Sequence, residues 1–269
     1  MKNLKIKAVI DLTQGQWIPF CITVIVLTTA IFIRYLLMAG LFYYLFNIRY
    51  AAKFAPNRID TRVSKKGQIK SEILYALIAS LLFGILGTWI LHAWQLGKTA
   101  IYNEVSHYHW SWMIGSVLVL LVLHETYYYW LHRWMHLPSV YRRIHRAHHE
   151  SLVTTAWTSF SFHPIESLLQ ALPIVLMIYF IPMHLISLVV FLIIMTVTSV
   201  INHLNSEIYP AGTHRHWFGR WWIGATHHAL HHSQFKYNFG LYFTFWDHWM
   251  CTESPDFNTL FEEKSKHDH

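Results

Sequence analysis

Four stretches of this 269-residue chain are long and apolar enough to cross the ~30 Å hydrocarbon core of a bilayer, which takes about 20 apolar residues in a helix. Trp17 to Phe46 is broken only by Arg34, Glu72 to Trp94 carries no charge from Ile73 onward, and Trp112 to Leu131 is a third stretch. The fourth, Leu168 to Ile201, contains Pro173 and Pro182, so it is predicted to fold as two shorter helices turning near Pro182-Met183-His184. The expected fold class is therefore an all-α integral membrane protein with about four transmembrane helices and no soluble core. Composition agrees: only 13% of residues are charged and 54% are apolar, against about 25% charged in soluble domains. Two cysteines, Cys21 and Cys251, build neither a disulfide framework nor a Cys-rich metal site. A cleaved signal peptide fits poorly, because the first apolar stretch is too long and lacks a small-residue cleavage site. Residues 1–269 are read as a single membrane-embedded domain.

Lys and Arg in short loops resist translocation. Between the first two spans lie Arg49, Lys53, Arg58, Arg62, Lys65, Lys66 and Lys70 against one acid, Asp60, whereas Lys98 is the one Lys or Arg between Gly97 and Ser111. The first loop is expected in the cytoplasm and the second outside. Counting onward puts His132 to His149 in the cytoplasm, together with His203 to His269 if the fourth stretch is a hairpin. Met1 then lies outside, against the pull of Lys2, Lys5 and Lys7. The net charge of +7 reads as a membrane-surface feature, with no nucleic-acid motif and no nucleic-acid partner. Glu253 to His269 is polar and expected to fray.

Twenty-one histidines outnumber the 14 acids, so any metal here relies on imidazole. They cluster as His132 and His136, then His145, His148 and His149, then His228, His231 and His232. Residues three and four apart share a helix face, so each cluster aims two or three rings one way. Eight imidazoles in one cavity cannot all be charged, and eight neutral ones need partners for every ring nitrogen. Divalent metal on one nitrogen of each, with acceptors on the other, resolves both problems. Eight donors suffice for two ions. Imidazole suits Zn, Cu, Fe and Ni alike. An apolar bundle without a Gly-x-Ser-x-Gly nucleophile favours redox work on lipid over hydrolysis, which makes iron the leading ion and zinc its substitute in purified protein.

His203, where the hairpin returns, is a candidate ninth ligand or a donor behind the ligands. His163, in Phe162-His163-Pro164-Ile165-Glu166, is weighed between a role beside substrate or ligands and a plain interface histidine. His227 points ~100° from His228 on a helix. His214 and His216 fall in a basic aromatic stretch that reads as headgroup-contacting, and His92, His107, His109 and His184 as interfacial. Glu125 lies one heptad deeper than His132, and an acid inside a span is a functional candidate by default; it is expected to accept a hydrogen bond from a ligand imidazole. Glu166 and Asp247 are similar candidates.

His132-x-x-x-His136, His145-x-x-His148-His149 and His228-x-x-His231-His232 resemble the three histidine boxes of the fatty acid hydroxylase and sterol desaturase superfamily of membrane di-iron oxygenases. Ser161 to Glu166, Ala225 to His232 and Tyr237 to Asp247 are similar to its sterol C5-desaturase (lathosterol oxidase) branch. The resemblance is strong over about Glu125 to Asp247, within a histidine-box region of about 120–250, and elsewhere rests on hydropathy and charge. It implies a four-helix bundle under a cytosolic helical cap, two non-haem iron ions on the eight box histidines with His203, and use of O2. It also implies two electrons per turnover from a cytochrome b5-like or ferredoxin-type partner fed by an NAD(P)H reductase. The chain departs from the family pattern at Glu125, where many members have Asp, and at Met250-Cys251-Thr252 in place of a Gly-Thr-like ending.

The expected function is O2-dependent desaturation or hydroxylation of a lipid, sterol-like by resemblance, with a fatty acyl or sphingolipid hydroxylase as the alternative. Outside that class stand a bis-histidine haem carrier, whose two axial ligands leave most box histidines unexplained, a metal transporter, and a di-zinc lipid hydrolase.

Overall fold

The computed structural model of the protein describes residues 17–266, so Met1 and the histidines at 267 and 269 lie outside the described residues. Its α-helices are α1 (Trp17–Tyr43), α2 (Gln68–Gln95), α3 (Ser111–Met135), α4 (Pro138–Val140), α5 (Arg146–His149), α6 (Pro164–Phe180), α7 (Leu185–Asn202), α8 (Ala225–Gln234), α9 (Phe245–Trp249) and α10 (Phe257–Ser265). Helix α1 with its π-helical extension to Arg49, α2, α3 and α7 are each long and apolar enough to cross a membrane, and α6 is a shorter apolar helix. The fourth apolar stretch does divide at Pro182, where β1 (Ile101–Tyr102) pairs in parallel with β2 (Met183–His184) at the end remote from the histidine boxes. His184 serves this turn alone: Nδ1 accepts from the Ile186 amide and Nε2 donates to the Asn103 carbonyl.

Between helices in lipid the hydrophobic effect contributes little, and close packing of small side chains takes its place. Along α2, Ala76, Ser80, Gly84 and Thr88 recur at four-residue intervals on its buried face. A Cβ on Gly84 would stand 2.9 Å from the Thr28 amide nitrogen and closer still to its hydroxyl, so α1 and α2 approach closely here. Pro173 sits inside α6 without ending it. Proline offers no N–H to the carbonyl four residues back, and the Tyr127 hydroxyl donates to that carbonyl, Leu169 O, at 2.9 Å.

Behind the spans, the connection from Ser151 to Thr158 is fastened to α2 through Glu72. Its Oε1 accepts from Gln68, Ser151 and Thr158 at 2.7–2.9 Å and its Oε2 from Thr155 at 3.1 Å. The expected frayed tail is corrected: Phe257 and Phe261 of α10 are buried against Leu230, an apolar pair at helical spacing that the overall polarity of the segment hides. His214 is likewise buried, against Phe261 and near Glu262, whereas Trp217 and Phe218 next to it are exposed.

Substituting Gly84 with Ala is expected to lower stability by ~1–3 kcal/mol through overpacking. The check is thermal unfolding in detergent, with Gly87→Ala, where a Cβ meets only the flexible Leu27 tip at 3.3 Å, as the milder control.

Candidate metal centre

Nine histidines converge into two nests. His132, His136, His145, His149 and His231 form one, and His148, His203, His228 and His232 the other; within each, one ring nitrogen per residue lies within 4.8 Å of all the rest. All are buried except His136, which is partly exposed. Helical spacing explains the division. Residues four apart stay together, as in His132 with His136, His145 with His149 and His228 with His232, whereas the third member of each triple box, His148 or His231, crosses to the opposite nest. His203, at the C-terminal end of α7, raises the second nest to four donors. His227 falls in neither and packs against Phe257, 3.9 Å from Asp247.

The protonation of five rings follows from their partners. Nδ1 donates to the Phe239 carbonyl from His132, to Ser161 from His148, to Ser199 from His203 and to Tyr237 from His231, all at 2.7–3.1 Å. His145 donates to Glu166 Oε1 at 2.9 Å, and the same oxygen accepts from Gln170 Nε2. With the proton on Nδ1, Nε2 presents only a lone pair. Yet His132 and His145 bring their Nε2 atoms to 3.1 Å in the first nest, and His148 and His203 to 3.2 Å in the second. Neither pair has a proton to share, and two facing lone pairs repel. A cation between them converts that repulsion into coordination, so the donor set of each nest fits a metal ion. Burial also pushes three of these imidazoles away from their charged form, His145 and His203 down to about 3 and His148 to about 4, which keeps their ring nitrogens free at neutral pH.

Edge lengths add a geometric constraint. Neighbouring Nε2 atoms run His132–His145–His149–His231 and His148–His203–His228–His232 at 3.0–3.2 Å. Nitrogens ~2.1 Å from an ion stand ~3.4 Å apart in a tetrahedron and ~3.0 Å apart at right angles. The observed edges fall in the range that nitrogens sharing one ion span.

Among the expected acids, Glu166 is the one that receives a box imidazole. Glu125 does not: its carboxylate accepts the backbone N–H groups of Leu241, Tyr242 and Phe243 at 2.6–3.4 Å. One heptad below His132, the side chain meets the returning 239–243 loop rather than a ligand. Gly240 permits this approach, since a Cβ there would lie 2.9 Å from Glu125 Oε1. Asp247 holds the same loop, accepting from the Phe239 and Gly240 amides and from Thr252. Both acids thereby support the Phe239 carbonyl that orients His132. His163 caps α6, accepting from the Ile165 amide at 3.3 Å, and lies outside both nests. Glu72 and the chain of small residues on α2 escaped sequence reasoning; the signal for Glu72 was an acid at a span boundary.

An apolar cavity bounded by α1, α2, α3, α6 and α7 ends at His203, with Phe160 and Phe162 nearby. It carries hydrocarbon walls up to one of the candidate ligands.

The family model for fatty acid hydroxylase matches residues 117–252, about half of the chain. The chain is 30% identical over 191 residues to a Delta(7)-sterol 5(6)-desaturase of Gibberella zeae, covering 71% of this chain and 58% of that protein. It is 31% identical over 237 residues to one of Aspergillus fumigatus, covering 79% and 69%, and 30% identical over 185 residues to lathosterol oxidase of Rattus norvegicus, covering 68% and 60%. The chain thus spans less than two thirds of the length of two of these relatives. No solved structure matches. On the family match, and on relatives that preserve it over most of this sequence, the chain belongs to the fatty acid hydroxylase family.

Proposed function

We propose that the protein is a multi-pass membrane oxidoreductase that uses O2 and external electrons to oxidise a C–H bond of a lipid, desaturating or hydroxylating it, and that its nine converging histidines hold two iron ions. The observation that carries this reading is the pair of facing Nε2 lone pairs in each nest. The names of the relatives, which act on Delta(7)-sterols or lathosterol, support a sterol-like substrate. A bis-histidine haem would leave seven of the nine rings without a role.

Bound in these nests, iron would supply O2 activation and the oxidising strength needed for an unactivated C–H bond. The chain does the rest. Carbonyls of Phe239, Ser161, Ser199 and Tyr237 and the Glu166 carboxylate hold five rings in one tautomer and orientation. An ionised Glu166 beside His145 raises the basicity of that ring. The cavity walls keep water from the reacting carbon and deliver a hydrocarbon toward His203. The basic loop between α1 and α2 supports a cytoplasmic position for the nests, where a cytochrome b5-like or ferredoxin-type donor with its NAD(P)H reductase would have access.

Metal analysis of protein prepared with iron should find two ions per chain, and lipid mass spectrometry of cells with and without the gene should show loss of two hydrogens for desaturation or gain of one oxygen for hydroxylation. His148→Ala and His231→Ala each remove a donor from a different nest; each should abolish turnover with the protein still membrane-inserted, and full activity in either would overturn the ligand assignment. Glu166→Gln should weaken iron retention by about 10–100-fold. Glu125→Gln should instead lower thermal stability, because a neutral amide replaces a carboxylate on three backbone N–H groups. The iron-free protein should lose stability as pH falls from ~6.5, where the unfolded histidines begin to protonate, toward about 4, where His148 follows in the folded state. A pH-independent unfolding midpoint across that window would contradict neutral burial.

A further inference from the structure

Arg34 lies midway along the first membrane-length segment, Trp17–Arg49, and lines the cavity that ends at His203. Its Nε is buried without a partner, and no hydrogen bond or ion pair joins the guanidinium to any described residue. The buried acids have other partners: Glu72 with Gln68, Ser151, Thr155 and Thr158, Glu125 with the 241–243 amides, and Glu166, through Oε1 alone, with His145 and Gln170. In the cavity wall, His124 is bonded to Tyr242, Gln170 to Glu166 and Ser199 to Ser159. A cation left unpaired inside a bilayer is costly and marks a binding function. Guanidinium cannot lose its proton at physiological pH, so a ligand must neutralise it.

Leu192, Met195, Ser199 and His203 line the cavity from α7 at intervals of three or four residues, a single helix face ~16 Å long. Its apolar walls suit hydrocarbon, and Arg34 offers a planar fork that matches carboxylate or phosphate oxygens. We propose that Arg34 is the head-group anchor of the substrate chamber, and that the lipid it receives carries an anionic oxygen head, carboxylate or phosphate, with its hydrocarbon body in the apolar cavity whose wall also includes His203. This rests on the reading of the cavity as the place where lipid meets the metal centre, and it departs from the neutral sterols named for the relatives. Anchoring the head sets which carbon reaches His203.

The test compares three probes with one oleyl chain and different heads, oleate, oleoyl lysophosphatidic acid and oleyl alcohol, with cholesterol as the neutral sterol. Binding is measured by equilibrium dialysis on the full chain in detergent, alongside iron content. Wild type should prefer one of the two anions to the alcohol by about tenfold or more, and the preferred anion identifies carboxylate or phosphate. Arg34→Gln should bring the anion-to-alcohol ratio below about threefold, and Arg34→Lys should keep part of the preference. Equal affinity for all three heads in wild type, a preference that survives in Arg34→Gln, or cholesterol binding tighter than either anion would overturn the proposal. Iron content separates the two readings: a head preference that tracks Arg34 in protein unable to hold iron leaves the anchor standing and removes the oxidoreductase, whereas two ions per chain without a head preference does the reverse.

Discussion

Repulsion between imidazole lone pairs is the constraint on which the rest of this protein depends. Five rings keep their protons on Nδ1, donating to acceptors outside the nests, so the inward-facing nitrogens of these five cannot bond to each other. Holding such rings ~3 Å apart without a cation is unfavourable, and the scaffold does so with rigid groups: helix ends, loop carbonyls and one carboxylate. Those outer partners account for much of the remaining architecture. The 239–243 loop exists in its observed path because Glu125 and Asp247 take its amides, and that path delivers a carbonyl to His132.

The two nests are unequal, five donors against four, and the inequality follows from helix geometry. Each triple box gives its i and i+4 members to one nest and its i+3 member to the other. The two-histidine box adds only to the first nest, so the second is completed from α7. His203 is therefore part of the arithmetic of the fold rather than an accessory, and a bundle lacking the α6–α7 hairpin would leave one nest with three rings.

The spans, the hairpin turn at Pro182 and the convergence of the boxes are legible in the sequence because each rests on local periodicity. Hydropathy over some 20 residues and i, i+4 spacing need no knowledge of distant neighbours. What failed to show required tertiary partners. Glu125 and Glu166 look alike as acids near boxes, and only the path of the 239–243 loop decides that one holds backbone and the other holds His145. Pro173 reads as a helix breaker until Tyr127 is seen to satisfy the carbonyl it frees. Phe257 and Phe261 are two apolar residues in a polar tail, too few to register until Leu230 stands opposite them. Arg34 was visible as an interruption of an apolar run, but its role waited on the cavity.

Gln170 belongs to two structures at once. Its side chain forms part of the cavity wall, and its amide donates to the same Glu166 oxygen that accepts from His145. A substitution at this position changes both the cavity wall and the number of donors on that oxygen, and with it the hydrogen bond that orients His145. The shape of the cavity and the setting of His145 are thus welded together at residue 170.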